Sequence, residues 1–109
     1  MSLHQTVQTN LVHYNKWTDV DAVVCGESTF LKGNPPEKLD ERDTPGQPEW
    51  VVPLAMADQN VSTSQIDKWF CNIALVAARP ARVTLALVNT DGTVVFYFVH
   101  DGIVKPRQN

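Results

Sequence analysis

Near its start, the chain places apolar residues at intervals that fit one face of an α-helix. Leu3, Val7, Leu11 and Tyr14 are spaced at i, i+4, i+8 and i+11, and polar residues occupy most positions between them. This pattern predicts a helix of about three to four turns. Its buried stripe includes Tyr14.

A second helical stripe lies between residues 62 and 78. Ser62 and Gln65 have the spacing of a capping box, which marks the start of a helix. Arg79–Pro80 ends the element, because the residue before a proline avoids helical geometry. This predicted helix has the largest apolar stripe in the chain, made of Ile66, Trp69, Phe70, Ile73, Val76 and Ala77.

Two short segments are typical of β-strands. Residues 17–25, "WTDVDAVVC", alternate with a period of two and have one polar-leaning face, which predicts a strand near a sheet edge. Residues 49–56, "EWVVPLAM", form an apolar run. Pro53 places that strand at an edge or a bulge, because proline cannot donate a ladder hydrogen bond.

The segment from Gly26 to Pro48 is predicted to be a long loop. It contains four prolines, three glycines and the charged run "EKLDERD", which suit neither a helix nor a sheet interior. We expect disorder near residues 40 to 47. The alternative for a loop of this length is a binding arm.

The last predicted element is a hairpin without a polar face. "RVTLALV" and "TVVFYFV" flank a short turn that contains Asp91–Gly92, and both alternating faces of both strands are apolar. Because an antiparallel sheet normally leaves one face in water, both faces of this hairpin must be covered. The second helix covers one face. For the other we favour a partner subunit, with the free edge of the last strand pairing across the interface, over cover by the N-terminal helix alone.

Composition and charge limit the classes of function. A chain of 109 residues predicts a single domain spanning residues 1–109. The chain is 43% apolar and 19% charged with a net charge of −3, so it has no general basic field that would hold nucleic acid. Without a signal-peptide core or a long apolar run, we expect an intracellular, soluble protein. Cys25 and Cys71 lie in apolar surroundings without metal-ligand spacing and are expected to be buried, reduced thiols.

No set of side chains has a spacing diagnostic of catalysis. His100 and Asp101 look like an orienting pair, but neighbours on a strand point to opposite faces. Nucleophile-elbow and phosphate-loop patterns are missing, and we expect no cofactor and no metal. The candidate acid/base residues are His4, His13, His100, Tyr14, Tyr97, Asp91, Asp101 and Lys105.

From Arg82 onward the chain resembles a known family. "VTLALVNTDG", "TVVFYFV" and the ending "HDGIVKPRQN" are similar to the C-terminus of the small non-catalytic subunit of the eukaryotic tRNA-splicing endonuclease, particularly its fungal forms. Weaker similarity runs through "NLVHYNKWTDV", "LKGNPPEKL" and "WVVPLAM". The resemblance implies a compact α/β (α+β) domain, with a mixed sheet and flanking helices, of the tRNA-endonuclease and restriction-endonuclease type.

In that family, related subunits pair through their last strands and two such pairs form a heterotetramer. The turn before the last strand is an acidic loop that inserts into a catalytic subunit of the opposite pair, and here that turn has a single carboxylate. The resemblance therefore implies an interface loop of Asn89, Thr90, Asp91 and Gly92, and an interface strand of Thr93, Val94, Val95, Phe96, Tyr97, Phe98 and Val99.

Catalytic subunits of the family cleave RNA with a Tyr, a His and a Lys. The Lys precedes the penultimate strand, where this chain has Arg82–Val83, and the Tyr and His belong to a segment that reads "VVPLAMADQN" here. The resemblance thus implies a structural subunit that does not cut. Its expected partners are the other endonuclease subunits and, through the complex, precursor tRNA, with Lys105 and Arg107 as an RNA contact; no small-molecule substrate and no membrane insertion are expected. The implied location is the nucleus, or the mitochondrial outer surface as in yeasts.

Two alternatives remain open at the level of sequence. The hairpin would equally allow the isolated chain to form a homodimer as a self-associating interaction module. A small acid/base ribonuclease that uses His13, His100 or Lys105 is the other alternative. Only the second predicts RNA cleavage by the chain alone.

Overall fold

A mixed five-stranded sheet with a helix on each face organises the described part of the chain. The computed structural model describes residues 3–26, 28–37, 48–58 and 61–100. Within them the strand order is β1-β2-β3-β4-β5; β3 and β4 are parallel and the other pairs are antiparallel. The elements are α1 (Leu3–His13), β1 (Thr18–Cys25), β2 (Ser28–Asn34), β3 (Glu49–Ala55), a 3₁₀ turn (Met56–Asp58), α2 (Thr63–Ala74), β4 (Arg82–Val88) and β5 (Val94–His100).

Two buried clusters lie on opposite faces of this sheet. Neighbouring residues of one strand divide between them: Val51 packs with α1, whereas Val52 packs with α2. The α2 cluster is made of Cys25, Phe30, Trp50, Val52, Trp69, Phe70, Ile73 and Val83, and the α1 cluster of Val7, Leu11, Trp17, Val20, Leu31, Val51 and Ala86. The predicted mixed α+β sheet with flanking helices is confirmed.

The first helix buries Val7 and Leu11 as predicted, but the prediction for Tyr14 is wrong. Tyr14 is 77% exposed. Helix α1 ends at His13, and Lys16 adopts a left-handed backbone with φ of 61°, which redirects the chain. Trp17 is buried in place of Tyr14, on the side of the sheet that α1 covers. Its backbone N–H donates to the carbonyl of Leu11 at 2.9 Å.

Strand β1 lies at the sheet edge, as predicted, but its alternation is interrupted. The register with β2 shifts between Thr18 and Asp21, and Asp19 has a φ of 54°. Such a bulge inserts a residue and reverses which side chains face inward. It brings Trp17 and Val20 into the same cluster.

The long loop predicted for residues 26–48 is wrong over Ser28–Asn34, which form β2. Phe30 and Leu31 are buried on opposite faces, and a Cβ added at Gly33 would lie 2.8 Å from a methyl carbon of Val20. The strand is thus stabilised by close contact with β1, which outweighs the prolines that follow it. The disorder predicted near residues 40–47 lies outside the described residues.

Strand β3 is central, so the edge position that Pro53 predicted is wrong. Strand β2 pairs with β3 only as far as Val51, whereas β4 pairs with it from Val51 to Ala55. Pro53 therefore lies where β3 has a single described neighbour, and proline is tolerated there.

Helix α2 starts at the predicted cap, where the Oγ of Ser62 accepts from the N–H of Gln65 at 3.2 Å. It ends at Ala74, earlier than predicted, and Val76 is 50% exposed. Cys25 is buried as predicted, but the prediction for Cys71 is wrong because that residue lies on the outer side of α2 and is exposed. No helix in the described ranges is both long and apolar enough to cross a membrane.

Candidate functional site

Strand β5 is an apolar strand that the described residues cover only in part. It pairs with β4 through seven residue pairs, from Arg82–His100 to Val88–Val94, and it is the last strand of the described sheet. None of its residues is buried, and Val95, Tyr97 and Phe98 are 39%, 52% and 45% exposed. An open edge with large apolar side chains is the feature that proteins use for pairing with another strand.

The two faces of the hairpin differ in how well they are covered. On β4, Val83 belongs to the α2 cluster and Ala86 to the α1 cluster, so this strand is buried on both faces by its own chain. The register places Phe98 opposite Thr84 on the α1 face and Tyr97 opposite Leu85 on the α2 face. The sequence predicted that both faces of the whole hairpin must be covered. In the structure only β5 still has side chains exposed on both faces.

The turn of the hairpin is held by its own polar groups. Gly92 N–H donates to the carbonyl of Asn89 at 3.0 Å, and Asn89 N–H donates to that of Thr93 at 2.8 Å. Gly92 has a φ of 93°, in the region that glycine adopts without strain. The carboxylate of Asp91 accepts from Thr93 through the hydroxyl at 2.6 Å and the N–H at 3.0 Å. Both bonds lower the pKa of Asp91, and the bond from the Thr93 hydroxyl has the larger effect.

A buried ion pair lies at the other end of the hairpin. Arg82 donates to Glu49 from Nη2 to Oε1 at 2.8 Å and from Nε to Oε2 at 3.2 Å, and Thr84 donates its hydroxyl to Oε2 at 2.9 Å. Glu49 and Thr84 are 5% and 3% exposed. The guanidinium carbon of Arg82 lies 4.5 Å from the ring centroid of Phe98. A buried charge is thereby compensated, and an exposed ring of β5 is held against it.

Beside this edge, on the α1 side, lies a cavity of about 200 Å³. Its lining is mainly apolar and joins the end of α1 to the two strands of the hairpin. The lining residues are Leu11, Asn15, Trp17, Thr84, Phe96, Tyr97 and Phe98.

The structure unites some of the predicted site residues and separates others. The predicted interface loop and strand, residues 89–99, form one turn and one exposed strand. Lys105 and Arg107 lie outside the described residues. His13 ends α1 and His100 ends β5, and both are exposed. In the described ranges, no three His, Cys, Asp or Glu residues come together as a metal site.

Sequence reasoning missed Glu49 and the cavity. Glu49 looks like the polar start of an apolar strand, and it is 33 positions from Arg82. The sequence does contain one signal for it: Glu49 directly precedes the apolar run "WVVPLA", and a carboxylate that is buried with such a strand needs a partner of opposite charge.

Comparison with known proteins gives the relationships of this chain. A family model described as Sen15 protein matches residues 6–109. The tRNA-splicing endonuclease subunit SEN15 of Eremothecium gossypii is 37% identical over 106 residues, which cover 94% of this chain and 87% of that protein. The probable tRNA-splicing endonuclease subunit tsp-1 of Neurospora crassa is 30% identical over 96 residues, 67% of this chain and 42% of that protein. The predicted resemblance is confirmed, and the chain belongs to the Sen15 protein family.

Proposed function

We propose that this chain is a non-catalytic subunit of a heterotetrameric tRNA-splicing endonuclease and supports intron excision by pairing with a catalytic subunit. The observation that carries the proposal is the open edge of β5, with Val95, Tyr97 and Phe98 exposed. Its relatives are named as subunits of that endonuclease, so a surface for another subunit is expected. A partner strand at β5 would complete the backbone hydrogen bonds of the edge, and its side chains would pack beside those of β5 on both faces.

The residues at the catalytic positions implied by the resemblance support a subunit that does not cut. Residues 51–60 contain neither Tyr nor His. At the Lys position the chain has Arg82, whose guanidinium is bound to Glu49 at 2.8 Å. An arginine stays protonated at neutral pH, and one that is paired with a buried carboxylate is poorly suited to transfer a proton to RNA.

The turn at residues 89–92 is the proposed contact with the opposite pair of subunits. It projects beyond the sheet between β4 and β5 and is held rigid by the bonds between Asp91 and Thr93. A rigid loop loses little conformational entropy on insertion. With a single carboxylate, shape contributes more than charge to this contact.

The proposed role in RNA binding is indirect. With a net charge of −3, the chain does not attract precursor tRNA by its overall charge, so the complex supplies most of the contact. Lys105 and Arg107 remain the proposed local phosphate contacts. The nucleus, with the mitochondrial surface as the alternative, remains the proposed location.

Co-expression with the catalytic subunit of the same organism tests the pairing. Val95→Asp and Phe98→Asp place a charge on the two faces of β5, and we expect each to abolish the complex as measured by mass in solution. Val24→Asp is the matched control, because Val24 is 67% exposed on β1 at the opposite edge of the sheet. A complex that survives both β5 variants would overturn the strand assignment.

The same edge makes self-association of the isolated chain a second candidate. Light scattering on the purified chain measures it, and the β5 variants should remove it. If the homodimer persists unchanged when the catalytic subunit is added, the chain is a self-sufficient module and the proposed role is wrong.

A further inference from the structure

We propose that the cavity beside β5 receives one aromatic side chain from the strand of the partner subunit that pairs with this edge. The inference rests on the proposed function. It adds a specific side-chain site to the backbone hydrogen bonds proposed between β5 and the strand of the partner subunit. The site lies between the end of α1 and the α1 face of the hairpin.

Geometry places the cavity within reach of a paired strand. Phe96 and Phe98 line the cavity, and both lie on the α1 face of β5, two residues apart. A strand added at the edge would run about 4.8 Å from β5, and every second side chain of it would point to that same face. One of these side chains would therefore lie directly beside the two phenylalanines. Phe98 is 45% exposed, so that approach is open in the single chain.

Size and chemistry favour an aromatic guest. A cavity of about 150 Å³ lined by apolar residues is known to bind benzene, and the volume here is about 200 Å³. Trp17, Phe96 and Phe98 are among the lining residues, and aromatic rings favour stacked or edge-to-face aromatic neighbours. The hydroxyl of Thr84 donates to Glu49, which leaves its lone pairs able to accept from a polar group on the guest.

The ion pair below the cavity keeps its wall in place. Arg82 lies 4.5 Å from the ring of Phe98 and is itself fixed by Glu49. A wall that is already ordered in the single chain does not have to be ordered during binding, so less affinity is lost. The cavity is therefore a preformed site.

Small analogues of the guest test the cavity in the isolated chain. Toluene and p-cresol stand for the side chains of Phe and Tyr. In a titration followed by NMR, we expect concentration-dependent shifts at the indole N–H of Trp17 and the amides of Phe96 and Phe98. Asn15→Phe, which places a ring in the cavity, should remove these shifts. Absence of shifts at saturating toluene, or equal shifts in the variant, would overturn the inference.

The same substitution tests the cavity in the complex. We expect Asn15→Phe to weaken binding of the catalytic subunit at least about tenfold, and Val12→Phe, an exposed position on α1, to change it less than about twofold. Because Asn15 bonds Asn10 through its side chain at 3.0 Å, the smaller Asn15→Leu is included, and thermal unfolding verifies both folds. Asn15→Leu should give an intermediate loss.

The outcomes separate this inference from the proposed function. If Val95→Asp and Phe98→Asp abolish the complex while both Asn15 variants bind normally, strand pairing stands and the anchoring site is wrong. If the β5 variants bind normally, pairing through β5 is wrong and the anchoring site beside it falls with that assignment, whereas the role as a subunit is untouched. If Asn15→Phe abolishes a homodimer but leaves the complex intact, the cavity serves a second copy of this chain and the inference is overturned.

Discussion

Arg82 on β4 and Glu49 on β3 form a buried two-point ion pair, with 2.8 Å between Nη2 and Oε1 and 3.2 Å between Nε and Oε2. The pair joins two parallel strands where both begin, and it contacts the exposed ring of Phe98 on β5. One polar contact inside the α1 face thereby connects the centre of the sheet to its open edge.

Removing one member of this pair should be strongly destabilising. We expect Glu49→Gln or Arg82→Met to lower the free energy of unfolding by about 3 kcal/mol, because each leaves an uncompensated polar or charged group in the interior. The double variant Glu49→Gln with Arg82→Met should lose less than the two single losses added together. Urea denaturation measures all three.

The surface pair of Arg79 and Asp67 is the control for this experiment. Its nitrogen–oxygen distance is also 2.8 Å, but the side chains are 34% and 64% exposed. Because water screens such a pair, Asp67→Asn should cost less than about 1 kcal/mol. Equal losses at the two pairs would contradict the importance assigned to burial.

Local patterns in the sequence predicted the hairpin and α2. Features that depend on contacts between distant segments could not be predicted from such patterns. The caps and stripe of α2 lie within one continuous segment, so they could be read directly. Strand β2 depends on the approach of Gly33 to Val20, and the ion pair depends on residues 33 positions apart. Tyr14 has the spacing of a buried residue, but α1 ends at His13 and the left-handed backbone of Lys16 redirects the chain, so that Trp17 is buried in its place.

The two thiols should react at very different rates. Cys25 is fully buried, and burial raises the pKa of its thiol, so both access and the thiolate fraction are low. Cys71 is exposed on α2, with Nη1 of Arg79 at 3.3 Å from its Sγ. An aromatic disulfide reagent should therefore modify one thiol per native chain and two in denaturant. Cys71→Ser should remove the fast reaction; a fast reaction that remains would place Cys25 at the surface.

The turn of the hairpin should loosen in acid. Because its pKa is lowered in the folded chain, Asp91 contributes stability that is complete above the ordinary aspartate value of about 3.9 and is lost as pH falls through the lower folded value. An NMR titration of the Gly92 and Thr93 amides should show an inflection below pH 3.9. Thr93→Val removes the main hydroxyl bond and should move the inflection upward.

A neighbouring threonine provides the control for the turn. Thr90 contributes its backbone N–H, which donates to Oδ1 of Asn89 at 2.8 Å and is retained in Thr90→Val. That variant should leave the inflection in place. An upward shift of equal size in both variants would mean that the two hydroxyls act through general solvation of the turn and not through the bond to Asp91.

The isolated chain should not cleave precursor tRNA. His13 and His100 are exposed at the ends of separate elements, and Arg82 is held by Glu49, so in the described part of the chain these three side chains do not form an acid/base arrangement for RNA cleavage. Incubation of purified chain with intron-containing tRNA should give no product above the buffer control. Arg82→Lys should give no product either. A lysine at that position still faces Glu49, and the Tyr and His of the catalytic subunits are missing from residues 51–60. Cleavage that co-purifies with the chain and disappears in His100→Ala would instead show that the chain is a ribonuclease. A purely structural role would then be wrong.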